Sequence, residues 1–196
     1  MSDRPLYGLV LAGGESRRMG RDKALLRHGG LSQIARMAAL LGEVSEAVFV
    51  STRADQKAEP ERSRFPQIID RYEGMGPVAG ILSAMDEHPD VDWLVVACDL
   101  PNVDARTLAV LVERRSERRP FTAFVSSHDG LPEPLCALYR AGSDGIIRGF
   151  VDQGIVCPRK MLIRSDTELL EQPDPAALDN VNTPEDLASS ILEATP

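Results

Sequence analysis

An apolar run, Leu9-Val10-Leu11, stops at Ala12-Gly13-Gly14, and Arg17, Arg18, Gly20, Arg21, Asp22 and Lys23 follow. Glycines let backbone N–H groups approach an anion where a Cβ would intrude, and the cations neutralise its charge. The chemistry this suits is a grip on the phosphates of a nucleotide. Two familiar phosphate loops do not fit. A dinucleotide fingerprint needs G-x-G-x-x-G, and here the glycines are adjacent. A Walker A loop needs Lys directly after its last glycine, and here Arg21-Asp22 separate Gly20 from Lys23.

Other chemistry-bearing residues stand just after apolar runs. Asp99 follows Trp93–Ala97, and Asp70 follows Gln67–Ile69. Magnesium takes one or two carboxylates and completes its shell with phosphate and water, which suits Asp99 as a single anchor. A turn aspartate before Pro101 is the plainer reading of the same residue. Lys23 can offer charge to a triphosphate or to a departing pyrophosphate, and Arg18 a planar fork to phosphate oxygens. Asn182, in Asp179-Asn180-Val181-Asn182-Thr183-Pro184, offers a carbonyl oxygen to magnesium or a hydrogen bond to phosphate. A turn with a helix cap reads nearly as well there. The glycine-punctuated stretch Tyr72–Gly80 opens a helix and is either a ligand-facing loop or a connector. Cys136 has no histidine-based pair nearby in the sequence and is expected in the core.

Elements that would position these residues alternate in period. Strands are expected at Leu6–Leu11, Ala47–Ser51, Gln67–Ile69, Trp93–Ala97, Thr122–Val125, Leu135–Tyr139 and Lys160–Arg164. Helices are expected over Leu31–Leu41, Pro77–Met85, from the cap Asp104 to about Arg115, over Ser143–Gln153, and from Thr183-Pro184 onward. The polar stretch Ala54–Pro66 reads as a surface loop or loose helix. The alternation predicts an α/β fold, a doubly wound, mostly parallel sheet flanked by helices. In such sheets ligands sit outside the carboxyl ends of the strands, so Gly13, Ser51, Asp70 and Asp99 should share one rim.

Composition narrows the class. A chain of 196 residues, 43% hydrophobic and 27% charged, buries a sizeable core as one domain, residues 1–196. Net charge of -8 argues against a nucleic-acid partner, which demands a basic face. Cations for an anionic substrate must therefore be gathered locally, as the cluster around Lys23 does. Three dispersed cysteines and three dispersed histidines lack zinc-site spacing and a disulfide framework. Free buried thiols in a reducing cytoplasm are expected. No membrane-spanning run or export signal is read, so no membrane partner is expected.

The string L-A-G-G-x-x-x-R-M-G-x-D-K at Leu11–Lys23 resembles the signature of the MobA-like nucleotidyltransferases, the molybdenum cofactor guanylyltransferases. GPVAGILSAM, VVACDLP and LDNVNTPEDL follow in that family's order. The resemblance spans nearly the whole chain and implies a Rossmann-like nucleotidyltransferase fold with one strand antiparallel to the rest. It implies transfer of GMP from GTP to the terminal phosphate of molybdenum-molybdopterin, with Mg2+ as cofactor. Carried over, Leu11, Ala12, Gly13, Gly14, Lys23, Asp70 and Asp99 would bind nucleotide. Lys23, Arg18 and Asp99 would act in catalysis, and Asp99 with Asn182 would hold metal. Cytidine-transferring relatives often carry alanine at the position of Gly13, which tilts the donor toward guanine. Ser51 stands about where some members place a nucleotide-contacting asparagine. Leu131-Pro132-Glu133-Pro134-Leu135 replaces their usual His-Pro pair, and this departure concerns the acceptor side. The alternatives are CTP or a different phosphate acceptor, or a catalytically silent nucleotide-binding module. Cofactor-insertion proteins and molybdoenzymes are recipients consistent with the expected product.

Overall fold

Consecutive residues of a strand face opposite sides, so a strand apolar throughout needs cover on both. A computed structural model describes residues 4–14, 22–181, 186, 190 and 192 of the chain. Along it run β1 (Leu6–Leu11), β2 (Arg27–His28), β3 (Leu31–Ser32), α1 (Gln33–Gly42), β4 (Ala47–Thr52), β5 (Gln67–Ile69) and α2 (Pro77–Glu87). Then come β6 (Asp92–Ala97), α3 (Ala105–Glu113), β7 (Phe121–Val125), β8 (Pro132–Tyr139), α4 (Asp144–Val151), α5 (Pro158–Ile163) and β9 (Thr167–Leu170). Seven strands form one sheet in the order β5-β4-β1-β6-β8-β7-β9, and β6 is buried over its whole length. The neighbours β5, β4, β1 and β6 are parallel, while β8 runs antiparallel to both β6 and β7. The expected doubly wound, mostly parallel sheet with one reversed strand is what forms.

The two faces of the sheet have separate cores. On one, Val10, Val50, Leu94 and Val96 meet Ile34, Met37 and Leu41 of α1 and Leu108 and Leu111 of α3. On the other, Leu9, Trp93 and Val95 meet Val78, Ile81 and Leu82 of α2 together with Ile147, Met161 and Leu162. Each such side chain taken from water contributes roughly 1.5–3 kcal/mol. Helix starts are marked as the sequence indicates: Asp104 accepts from the Thr107 amide at 2.8 Å, and Pro77 occupies the first turn of α2.

Three expectations need correction. Lys160–Arg164 is not a strand, because α5 covers Pro158–Ile163. Pro158, Met161 and Leu162 are its buried positions, the i, i+3, i+4 stripe of a helix, and a short apolar run does not announce which period it obeys. The last strand lies instead at β9, parallel to β7. The first helix starts at Gln33 rather than Leu31, because Leu31-Ser32 turn back on Arg27-His28 through Gly29 and Gly30 (φ 56° and 83°), and Ser32 caps the helix. Cys98 and Cys136 are buried, but Cys157 is exposed at the entrance to α5. The helix expected from Thr183 lies mostly outside the described residues. No described helix is long and apolar enough to cross a membrane.

Candidate active site

Four adjacent parallel strands end on one rim, and each hands its next residue to the same cleft. After β1 come Ala12-Gly13-Gly14, with the Ala12 amide donating to the Ser51 carbonyl at 3.0 Å. After β5 comes Asp70, whose amide donates to the Thr52 carbonyl, and after β6 come Cys98 and Asp99. The cleft measures about 870 Å³, and Leu11, Ala12, Gly13, Gly14, Lys23, Asp70 and Asp99 all line it. Arg18 and Asn182, like Arg17 and Arg21, lie outside the described residues.

Asp70 forms one wall. Ser51 Oγ donates to its Oδ1 at 2.7 Å, and burial pushes its carboxyl above the ordinary value against the pull of that bond and of Arg53. A Cβ on Gly13 would stand 2.9 Å from Asp70 Oδ2. The glycine is thus the space into which the carboxylate reaches. Gly80 is needed for a different reason: a Cβ there would lie 2.2 Å from Ser51 Oγ, so α2 can approach β4 only without one. Gly74 and Gly76 (φ 71° and 53°) bend the connector along the cleft. It is anchored behind by Tyr72, whose hydroxyl donates to Asp86 at 2.6 Å and accepts from Arg148 at 3.1 Å.

Lys23 and Asp99 face each other across the cleft floor, Nζ to Oδ2 at 3.4 Å, both largely enclosed. Asp22 Oδ1 accepts from the Ala24 amide at 3.1 Å and opens the single 3-10 turn that presents Lys23. The peptide around Asp99 is held from two sides. Gln33 Nε2 donates to the Cys98 carbonyl at 3.2 Å, and the Val181 amide donates to the Asp99 carbonyl at 3.0 Å. Burial raises the Asp99 carboxyl, while the Lys23 ammonium opposes that rise. Burial also pushes the Cys136 thiol up to about 12, so it stays protonated and unreactive, as expected of a core cysteine.

A second cleft of about 630 Å³ opens beside the first, and Asp99 and Leu135 line both. Leu135 reaches the junction because the register of β8 on β7 slips between Ala123 and Phe124, bulging the strand there. The second cleft holds Ser126, His128, Asp129, Glu133, Asn180 and Arg159. Arg159 donates to Asp129 and to Glu133 at 2.8 Å each, and His128 Nε2 lies 2.8 Å from Asp179 Oδ1. Arg159 carries no mark in the sequence, because it meets Glu133 only through the packing of α5 on β8. Among the described residues no group of three or more His, Cys, Asp or Glu could hold a metal. A single carboxylate anchor, as Asp99 would be, nonetheless suits magnesium when phosphates and water bring the remaining oxygens.

Comparison with known proteins decides the family. The sequence model of the MobA-like NTP transferase domain matches residues 8–166. The chain belongs to the MobA-like NTP transferase family. It is 36% identical over 186 residues to a molybdenum cofactor biosynthesis bifunctional protein of Synechocystis, covering 95% of this chain and 54% of that protein. The chain therefore spans about half the length of that relative. It is 30% identical over 184 residues to a probable molybdenum cofactor guanylyltransferase of Trichormus variabilis, covering 93% and 89%. Molybdopterin-guanine dinucleotide biosynthesis protein A from Archaeoglobus fulgidus superposes with a TM-score of 0.76 at 26% identity, over 93% of this chain and 95% of that one. In this MobA-like NTP transferase the described motif residues Leu11, Ala12, Gly13, Gly14, Asp22 and Lys23 line one cleft, with Ser51 bound to Asp70 and Arg159 to the carboxylates of the neighbouring cleft.

Proposed function

We propose that this chain is a molybdenum cofactor guanylyltransferase, one nucleotidyltransferase domain over residues 1–196. It would transfer GMP from GTP to the terminal phosphate of molybdenum-molybdopterin, giving molybdopterin guanine dinucleotide and pyrophosphate. The carrying observation is Lys23 and Asp99, 3.4 Å apart, where a cleft lined by the nucleotide motif meets a second cleft. The donor occupies the first cleft and the acceptor enters from the second. A phosphate oxygen of the acceptor attacks the α-phosphorus in line, that P–O bond forms, and the bond to the β-phosphate oxygen breaks. The nucleophile is already an anion, so no general base is required.

Each residue has a part in this reading. The Gly13-Gly14 backbone and Arg18 cradle the phosphates, and Lys23 meets the charge that develops on the leaving pyrophosphate. Asp70 offers acceptor oxygens to a donor-rich edge, which guanine presents through its N1–H and 2-amino group. Asp99, joined by Asn182, would hold Mg2+. When bound, that ion would neutralise the phosphate oxygens around the reacting phosphorus. Three cysteines free of disulfides fit a cytoplasmic enzyme. Transient contact with cofactor-insertion proteins or molybdoenzymes would follow from the product. No nucleic acid or membrane is part of the reading.

The test is product identity. With Mg–GTP and molybdenum-molybdopterin, mass spectrometry should find the acceptor heavier by one GMP moiety, lost on chelation and restored by Mg2+. Absence of the adduct under saturating substrates contradicts the proposal, and a CMP adduct reassigns the donor.

A further inference from the structure

Arg62 sits in the polar stretch between β4 and β5, yet it has no exposed surface. Its Nη2 donates to the Ala12 carbonyl at 2.7 Å and to Asp22 Oδ2 at 2.7 Å. From behind, Glu59 Oε2 accepts from the Arg62 amide at 2.9 Å and from Nη1 at 3.3 Å. Ala12 is where β1 gives way to Gly13-Gly14, and Asp22 immediately precedes Lys23. One nitrogen therefore ties Ala12, beside Gly13, to Asp22, beside Lys23.

The geometry points to Arg62 as a positioning residue for phosphate binding, setting the spacing between the Gly13 backbone and Lys23. Both oxygens of Asp22 are engaged, Oδ2 by Arg62 and Oδ1 by the Ala24 amide, so the carboxylate cannot turn and the path into Lys23 is fixed. A planar guanidinium can serve two acceptors at set angles, which an ammonium on a flexible stem does not reproduce. Stability alone explains the arrangement poorly. Taking these charges from water is costly, and Arg62 Nε is buried with no acceptor among the described residues. The inference rests on the nucleotidyltransferase reading of the cleft, but not on the choice of base.

The experiment measures direct binding of each of the four Mg–NTPs, and of inorganic tripolyphosphate, to the full chain and to R62K, D22N and R64M. Circular dichroism and melting temperature report folding. R62K and D22N should weaken all four nucleotides and tripolyphosphate alike, by about tenfold or more, and raise the KM for nucleotide while leaving the KM for acceptor unchanged. R64M, altering an exposed arginine two residues away, should bind as the original does. Folded R62K and D22N with unchanged affinities overturn the inference, as does a loss confined to one nucleotide. Where R62K fails to fold, D22N decides by the same criterion. A wild-type chain that prefers CTP, with equal losses in the variants, revises the donor and leaves Arg62 in its role. A wild-type chain that binds no nucleotide overturns both readings.

Discussion

Adding one methyl group at Gly13 tests the nucleotide cleft at its tightest point. Gly13 does not lie in the left-handed region, so alanine meets no backbone penalty there. Its Cβ would stand 2.9 Å from Asp70 Oδ2 and 3.5 Å from the nearest Arg53 atoms. The second distance is ordinary contact, so the whole effect falls on Asp70. That carboxylate cannot yield freely, because Ser51 holds its other oxygen at 2.7 Å. G13A should displace it and break the Ser51 bond. The displaced carboxylate would lose its proposed hydrogen bond to the nucleotide, about 1.5–3 kcal/mol, roughly 10- to 150-fold in affinity. Calorimetric titration with Mg–GTP measures this, and a melting curve confirms that the fold survives. The double variant G13A/D70A removes the collision, so it should bind no worse than D70A alone. Wild-type affinity in G13A, or strictly additive losses in the double variant, would refute the coupling of Gly13 to Asp70.

Four further substitutions probe separate parts of the molecule. D99A should reduce kcat by about a hundredfold or more with the fold intact, and near-normal turnover would remove Asp99 from the chemistry. K23A should lower kcat on the order of 10²–10³-fold in single-turnover assays, while an unchanged rate returns Lys23 to the cleft surface. G80A puts a Cβ 2.2 Å from Ser51 Oγ and should destabilise the protein by about 1–3 kcal/mol, each kcal/mol lowering Tm by roughly 2–4 °C. D104A should cost about 1 kcal/mol at neutral pH. The Thr107 hydroxyl and then its amide hold the Asp104 carboxyl below its ordinary value. Its stabilisation is thus present above the usual carboxylate range and lost as pH falls through the lowered value. Melting curves of D104A and wild type should converge in acid, and a constant gap would contradict the cap.

Most local signals are legible in the sequence; contacts between distant segments are not. Leu6–Leu11 and Gln67–Ile69 form strands at the limits their apolar runs suggest, and Asp104 caps α3 as its place before an amphipathic stretch requires. The shared rim of Gly13, Asp70 and Asp99 followed from alternation alone, since parallel strands with crossover helices all end on one side. Lys160–Arg164 is ambiguous because a short apolar run satisfies either period, and the helix that forms there packs on β8. Arg62 was invisible for a stronger reason. Nothing in Ala54–Pro66 marks an arginine for burial; its partners Ala12 and Asp22 lie 50 and 40 residues away. Arg159 is similar, meeting Glu133 across 26 residues. Gly80, the last residue of the glycine-punctuated stretch, owes its identity to the close approach of α2 to β4.

The proposed reaction has a chosen donor and a chosen acceptor. Its most direct test is pyrophosphate release from ATP, GTP, CTP and UTP in turn, each with Mg2+, with and without molybdenum-molybdopterin. Release is expected with GTP, dependent on the acceptor, and far slower release with the other three. Equal or greater release with CTP would contradict the guanine assignment, and no acceptor-dependent release with any nucleotide would contradict the reaction itself.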